Sequence, residues 1–194
     1  MIEMMPTFTI KSNIPTISTV KPYSPLELQG RDLYIREGCV NCHSQMIRPF
    51  RSETERYGEY SKAGEFVYDH PFLWGSKRTG PDLARERCKY SNAWHFSHLM
   101  DPQTMSPGSI MPPYEWLIDQ QLDTTTTISK INAMRTLGVP YALDYEHLAN
   151  SDLQKQAKAI TEDLKQGNVR VQSDREIIAI IAYIQRLGKD IRTK

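Results

Sequence analysis

The chain has only three cysteines in 194 residues, and two of them, Cys39 and Cys42, fall in one short motif. That number cannot staple a disulfide scaffold, so a buried core has to hold the fold together. Nor is there a run of the ~18 to 20 apolar residues that a membrane-crossing helix needs. Residues 1–6 are too short for the apolar stretch of a signal peptide. As given, the sequence neither exports nor anchors itself. An excess of charge is missing too: Lys plus Arg number 24 and Asp plus Glu 23. This balance creates no basic field for nucleic acid or an anionic surface, so no nucleic-acid partner is expected. No alternation of strand and helix patterns competes for a parallel sheet. Twelve prolines against ten glycines break the middle of the chain into short helices with long ordered connections.

What is present is a set of helix signals. Residues 1–23, with Pro6, Pro15 and Pro22 among Ser, Thr and β-branched residues, read as an extended leader. Ser24 is an N-cap with Pro25 at the first helical position and Glu27 completing a capping box, and Gly38 closes the helix. Residues 44–92 read as a long loop with at most a short hairpin around Glu65 to Tyr68, and loops this long are usually functional. A short helix is predicted from Ser91 or Asn92 to Met100, stopped by Asp101-Pro102, with loop again over 101–116. Ile128, Ile131, Met134 and Leu137 mark another helix before Gly138. A further helix opens at Ser151 with Gln154, carries Leu153, Ala157, Ile160 and Leu164, and stops at Gly167. The last starts at Ser173 with Glu176 and carries Ile177, Ile180, Ile181, Ile184 and Leu187. The expected fold is all-α with long loops. The length fits one domain of roughly 100–200 residues with elaborations.

The chemistry lies in Cys39-Val40-Asn41-Cys42-His43. In C-x-x-C-H the two thiols add across the vinyl groups of a haem, and the adjoining imidazole becomes the proximal iron ligand. Half a zinc site or a thioredoxin-type pair are the competing readings of CxxC. Zinc needs two more ligands, for which Cys88 with His95 or His98 are the candidates, and a thioredoxin pair needs a βαβ setting that the pattern lacks. The expected cofactor is therefore one covalent haem c. Candidates for the sixth ligand are Met46, Met100, Met105, Met111, His70, His95 and His98. Met111 is preferred, because the prolines after it stiffen Gly108-Ser109-Ile110-Met111-Pro112-Pro113-Tyr114 and hold the thioether at fixed reach. A proximal histidine also donates its second ring N–H to a backbone carbonyl, and Thr79-Gly80-Pro81-Asp82-Leu83 is the natural source.

Taken in order, CVNCH, Gly80-Pro81-x-Leu83, Met111-Pro112 and a final helix bearing Tyr183 resemble the class I cytochrome c fold. That resemblance implies that the Pro81 carbonyl accepts from His43, that Leu83 packs on the haem, and that Gly30 lets the first helix cross the last closely. Longer stretches narrow it: residues 38–49, Glu55-Arg56-Tyr57-Gly58-Glu59-Tyr60-Ser61, Tyr68-Asp69-His70-Pro71-Phe72, residues 74–83 and Gly108-Ser109-Ile110-Met111-Pro112. From about residue 6 to beyond 140 the chain resembles the mono-haem subunit II of cbb3-type cytochrome oxidases, the FixO or CcoO family. The resemblance implies an electron relay through haem c toward the haem–copper subunit that reduces oxygen and pumps protons. A di-haem cytochrome c subunit, or another c-type cytochrome, is the implied donor, and the periplasmic face of the bacterial inner membrane the implied location.

In that family a transmembrane helix precedes the point where this chain begins, and residues 1–6 resemble its exit from the membrane. The chain is thus expected to be a truncated, split, fused or soluble piece, with membrane association through partners or through the missing anchor. Residues 24–194 are expected to form the haem domain, with insertions at about 44–78 and 117–172. The helices near 128–137 and 152–166 are expected to cap the cytochrome core.

Arg48, Arg51, Arg56, Lys77 and Arg78 cluster around these motifs. Arg48 and Arg78 are the candidates for contacts to haem carboxylates. His95 and His98 read as unrelated surface histidines, His70 as a structural hydrogen-bonder, and Cys88 as an inert thiol. Tyr57, Tyr60, Tyr68 and Trp74 are expected to pack the long loop down. A free cytochrome c shuttle and a thiol–disulfide enzyme are the alternative functions.

Overall fold

The structure is a computed structural model that describes residues 5, 6, 10, 12, 14–75, 77–87 and 89–191. The expectations for Cys88 and for residues 1–4 lie outside the described residues. Ser24 starts the first long helix as its neighbours dictate. Its Oγ accepts the Glu27 N–H at 3.3 Å while the Glu27 carboxylate takes the Ser24 N–H at 2.7 Å. Two donors that the helix leaves orphaned are thereby satisfied. This helix, α1, spans Pro25–Arg36, and Gly38 reverses the chain after it at φ 74°. Then follow α2 (Arg51–Tyr57), α3 (Asn92–Met100), α4 (Pro102–Met105), α5 (Trp116–Asp119), α6 (Thr127–Thr136), α7 (Tyr145–Gln166) and α8 (Glu176–Arg186). The fold is all-α, and the sole β pairing among the described residues is one bridge between Gln121 and Arg175.

Helix α8 is the central post. Ile177, Ile178, Ala179, Ile180 and Ile181 are consecutive and all buried, as expected of a helix that is apolar all round. Leu26 and Leu33 of α1, Leu99 of α3, and Leu153, Ala157 and Leu164 of α7 join these residues in one core. A second cluster, Leu28, Ile131, Met134, Val139 and Ala149, ties α6 and α7 to the other side of α1. Gly30 marks the crossing of α1 and α8. A Cβ there would lie 1.9 Å from the Ala179 carbonyl oxygen and 2.8 Å from the Tyr183 Cβ. No side chain fits at that distance.

The structure departs from the sequence pattern in five places. Residues 51–57, expected as loop, form α2. The expected hairpin at 65–68 is a single 3-10 turn, Ala63–Phe66. Asp101, expected only to stop α3, also caps the one-turn α4 by accepting from Gln103 N at 3.1 Å. Helix α7 begins at Tyr145, ahead of Ser151, because its first turn is docked from outside. Arg135 pairs with Glu146, Tyr141 stacks on Tyr145 at 5.7 Å, and Ala149 is buried. Helix α8 begins at Glu176 rather than Ser173. Residues 174–176 are pinned instead to the segment after α5, with Leu122 N–H on Asp174 O at 2.8 Å and Glu176 N–H on Gln120 O at 3.1 Å.

The stripe on α6 is half true. Ile131 and Met134 are buried, but Ile128 is 41% and Leu137 57% exposed. Three steps of three residues drift around the helix, and nine residues at ~100° each turn it about half a circle.

Replacing Gly30 by Ala is expected to destabilise the protein by about 1–3 kcal/mol, the usual range for overpacking a tight core. Denaturant unfolding of the matured protein measures this directly.

Candidate functional site

Helix α1 and the turn at Gly38 deliver the chain into the CxxCH motif, whose Cys39–Asn41 segment is a 3-10 turn. Tyr34 on α1 and Tyr183 on α8 meet edge to face at 5.3 Å behind it. The Tyr183 hydroxyl donates to Gln45 Oε1 at 3.1 Å. The next stretch folds back on the motif: Gly80 N–H donates to Cys42 O at 3.0 Å and Leu83 N–H to Ser44 O at 2.9 Å. This brings the Pro81 carbonyl oxygen 2.8 Å from His43 Nδ1. A carbonyl only accepts, so Nδ1 carries the proton and Nε2 keeps its lone pair. Gly80 lies against the same ring, where an added Cβ would sit 2.2 Å from His43 Cε1. Burial, opposed by the Pro81 carbonyl, holds the imidazole pKa below its usual value, which keeps the ring neutral near pH 7.

His43, Cys39 and Cys42 open onto a cavity of about 460 Å³. Its apolar lining includes Leu83, Leu99, Ile180 and Ile184, together with Met111, Pro112 and Tyr114. Both thiols are free, Cys39 half-buried and Cys42 exposed. Burial pushes the Cys39 thiol up to about 12. That is the reverse of a reactive thioredoxin-type thiol, whose pKa is lowered. Among the described residues, the one cluster with metal-holding geometry is Asp144, Glu146 and His147 at the start of α7. It does not include Cys39 or Cys42.

Of the sixth-ligand candidates, Met111, His95 and His98 line this cavity, whereas Met46, Met100, Met105 and His70 are not among its lining residues. Met100 packs against the main core, and the His70 carbonyl accepts from Arg31 at 3.3 Å. Arg48 and Arg78 are not brought to the cavity. They stand behind the His43 segment, where Arg78 donates to Ser44 Oγ at 2.7 Å, Met46 O at 2.8 Å and Glu53 Oε2 at 2.7 Å. Ser44 Oγ in turn donates to Asp82 Oδ2 at 2.6 Å, and Arg48 pairs with Glu53. The arginines thus fasten residues 44–48 to the stretch carrying Pro81.

The sequence reading missed the place of His95 and His98. Their ring atoms His95 Nε2 and His98 Nδ1 are buried without hydrogen-bond partners. Together with Leu99 they occupy i, i+3 and i+4 on α3, the spacing of one buried face. That signal was available. Orphaned polar nitrogens are rare in an interior, and here they face a cavity with two thiols, a lone-pair imidazole and a thioether. The donor set fits an iron-bearing macrocycle.

The Glu53 carboxyl is held at about 2, against an ordinary 4.5, chiefly by its hydrogen bond with Arg78. A carboxylate lowered in the folded state adds stability above its unfolded pKa and loses it as pH falls through the folded value. The unfolding midpoint is therefore expected to drop between about pH 4.5 and pH 2. Glu53→Gln should flatten that part of the profile, as read by urea titrations across this range.

No curated protein matches the chain. Residues 1–191 match the family described as cytochrome c oxidase, mono-heme subunit/FixO. The chain belongs to that family, a single-haem subunit of an oxidoreductase complex.

Proposed function

We propose that the chain carries one haem c joined covalently through Cys39 and Cys42, with His43 and Met111 as axial ligands. Through it the subunit relays electrons toward the oxygen-reducing haem–copper subunit of a cbb3-type oxidase at the periplasmic face of the bacterial inner membrane. The observation that carries this reading is the cavity itself, into which His43 Nε2, two free thiols and a thioether converge while Pro81 fixes the imidazole tautomer.

The bound iron would supply a one-electron couple, and the protein would do the rest. Cys39 and Cys42 would hold the group, each by adding its thiol across one vinyl C=C, so that the S–H and π bonds would be replaced by C–S and C–H bonds with no oxidant required. The Pro81 carbonyl orients His43 and raises its basicity as a ligand. Leu83, Leu99, Ile180 and Ile184 keep water from the cofactor, and a His/Met pair raises the potential above that of a bis-His site. Residues 24–194 are proposed as the haem domain, with 44–78 and 117–172 as its elaborations and 1–23 as the leader. Ile110 beside Met111 is 80% exposed and gives the cavity mouth an uncharged surface for a neighbouring subunit. Within the complex, a di-haem subunit or another c-type cytochrome is the proposed donor. No helix among the described residues is long and apolar enough to cross a membrane. Membrane association through partner subunits is part of the proposal.

Expression in an exporting host with haem-attachment machinery tests the reading. Intact mass should rise by one haem, and the reduced protein should show a c-type α-band. An unmodified mass would sink the proposal. Co-purification with a membrane oxidase then separates a subunit from a free shuttle, which would elute alone. Gly80→Ala should keep the covalent haem but lower the fraction of six-coordinate low-spin iron, visible in the optical spectrum, because the added methyl displaces the His43 ring.

A further inference from the structure

We propose that His98 is a second sixth ligand, held on α3 in position to replace Met111 when the loop carrying that methionine moves away from the iron. The inference rests on the haem reading above and adds a ligand exchange to it.

Two observations converge. His98 shares the cavity with His43 and Met111, and its Nδ1 is buried with no hydrogen-bond partner. A lone pair or N–H is therefore left without a use in the protein, although such groups are normally paired. Second, the ring is fixed. It stacks on Trp94 at 4.6 Å with planes 14° apart, and Trp94 stacks on Tyr90 at 3.8 Å. This column stands on a nine-residue helix capped by Ser91. His95 lines the same cavity, but its ring meets Trp94 edge to face at 5.3 Å instead of stacking on it.

Met111 is held differently. It sits in a loop that turns at Gly108 with φ 82° and is tied at its ends, by Ser106 N–H to Pro102 O at 2.9 Å and Tyr114 N–H to Leu99 O at 2.8 Å. Between those ties Ile110 is 80% exposed, the Met111 N–H donates to Ser109 Oγ at 3.2 Å, Gln103 Nε2 donates to Ser109 O at 3.4 Å, and the Met111 side chain packs on the main core. One candidate ligand is thus on a helix and the other on a loop. Exchange breaks an Fe–S bond and makes an Fe–N bond, with no electron or proton consumed. Because bis-His coordination lowers the potential relative to His/Met, the position of the loop would set the driving force of the relay.

Met111→Ala in the matured protein tests this. The far-red methionine–iron band should vanish while the iron stays six-coordinate and low-spin, with a bis-imidazole electron paramagnetic resonance signature and a potential shifted downward. Adding His98→Leu, or the more conservative His98→Asn, should convert the iron to high-spin, and free imidazole should restore the low-spin form. A high-spin Met111→Ala protein would overturn the proposal. So would a bis-imidazole signature that survives in both double variants, or a methionine–iron band that survives Met111→Ala. Absence of covalent haem from the unsubstituted protein would instead refute the underlying reading, so the two failures are distinguishable.

Discussion

The hydrogen bond from His43 Nδ1 to the Pro81 carbonyl joins stretches 38 residues apart, and most of the surrounding arrangement exists to hold its two ends. Gly80 is bare so that the backbone can reach the ring. Ser44, Asp82, Arg78 and Glu53 lace the two stretches together from behind. Asp82 alone accepts from Ser44 Oγ, Met46 N–H and Ala84 N–H. A carboxylate so fully used is costly to strip of any partner, since each freed donor would be left buried and unpaired. Charge in this region is therefore structural, and the cavity itself is left with mainly apolar walls.

The second constraint is the crossing of α1 and α8 at Gly30. It brings the helix that precedes the CxxCH motif against the helix whose Ile180 and Ile184 line the cavity. One close contact thus sets both the entry of the motif and the depth of the pocket. Around that pair, α7 adds a third layer through Leu153, Ala157 and Leu164. The layer supports α3 from behind, and α3 in turn forms a cavity wall.

Much of this was legible in the residues. The capping box at Ser24, the glycine after α1 and the end of α3 at Met100 are local signals, and local hydrogen bonds realise them. His43 and Met111 were legible from the chemistry of their short motifs, whereas Pro81 as the acceptor of His43 and Leu83 as a wall residue came from the resemblance to class I cytochromes c. The starts of α7 and α8 were not, since both are set by contacts from residues distant in sequence, Arg135 on Glu146 and Gln120 on Glu176. Arg48 and Arg78 show the limit of reading charge by proximity in sequence. Nothing in their spacing says that Glu53 and Asp82 would claim them before a cofactor could. His95 and His98 show the opposite limit, for their pairing with Leu99 was visible as a face, but the histidines were read as polar and therefore outward.

The clamp on His43 uses protein atoms alone. Its imidazole is oriented by Pro81, backed by Gly80 and kept neutral by burial, so the conformational cost of aiming the ligand is met when the chain folds. A cofactor arriving during maturation would therefore meet an imidazole already aimed into the cavity, so the cost of orienting that ligand would fall on folding and not on capture.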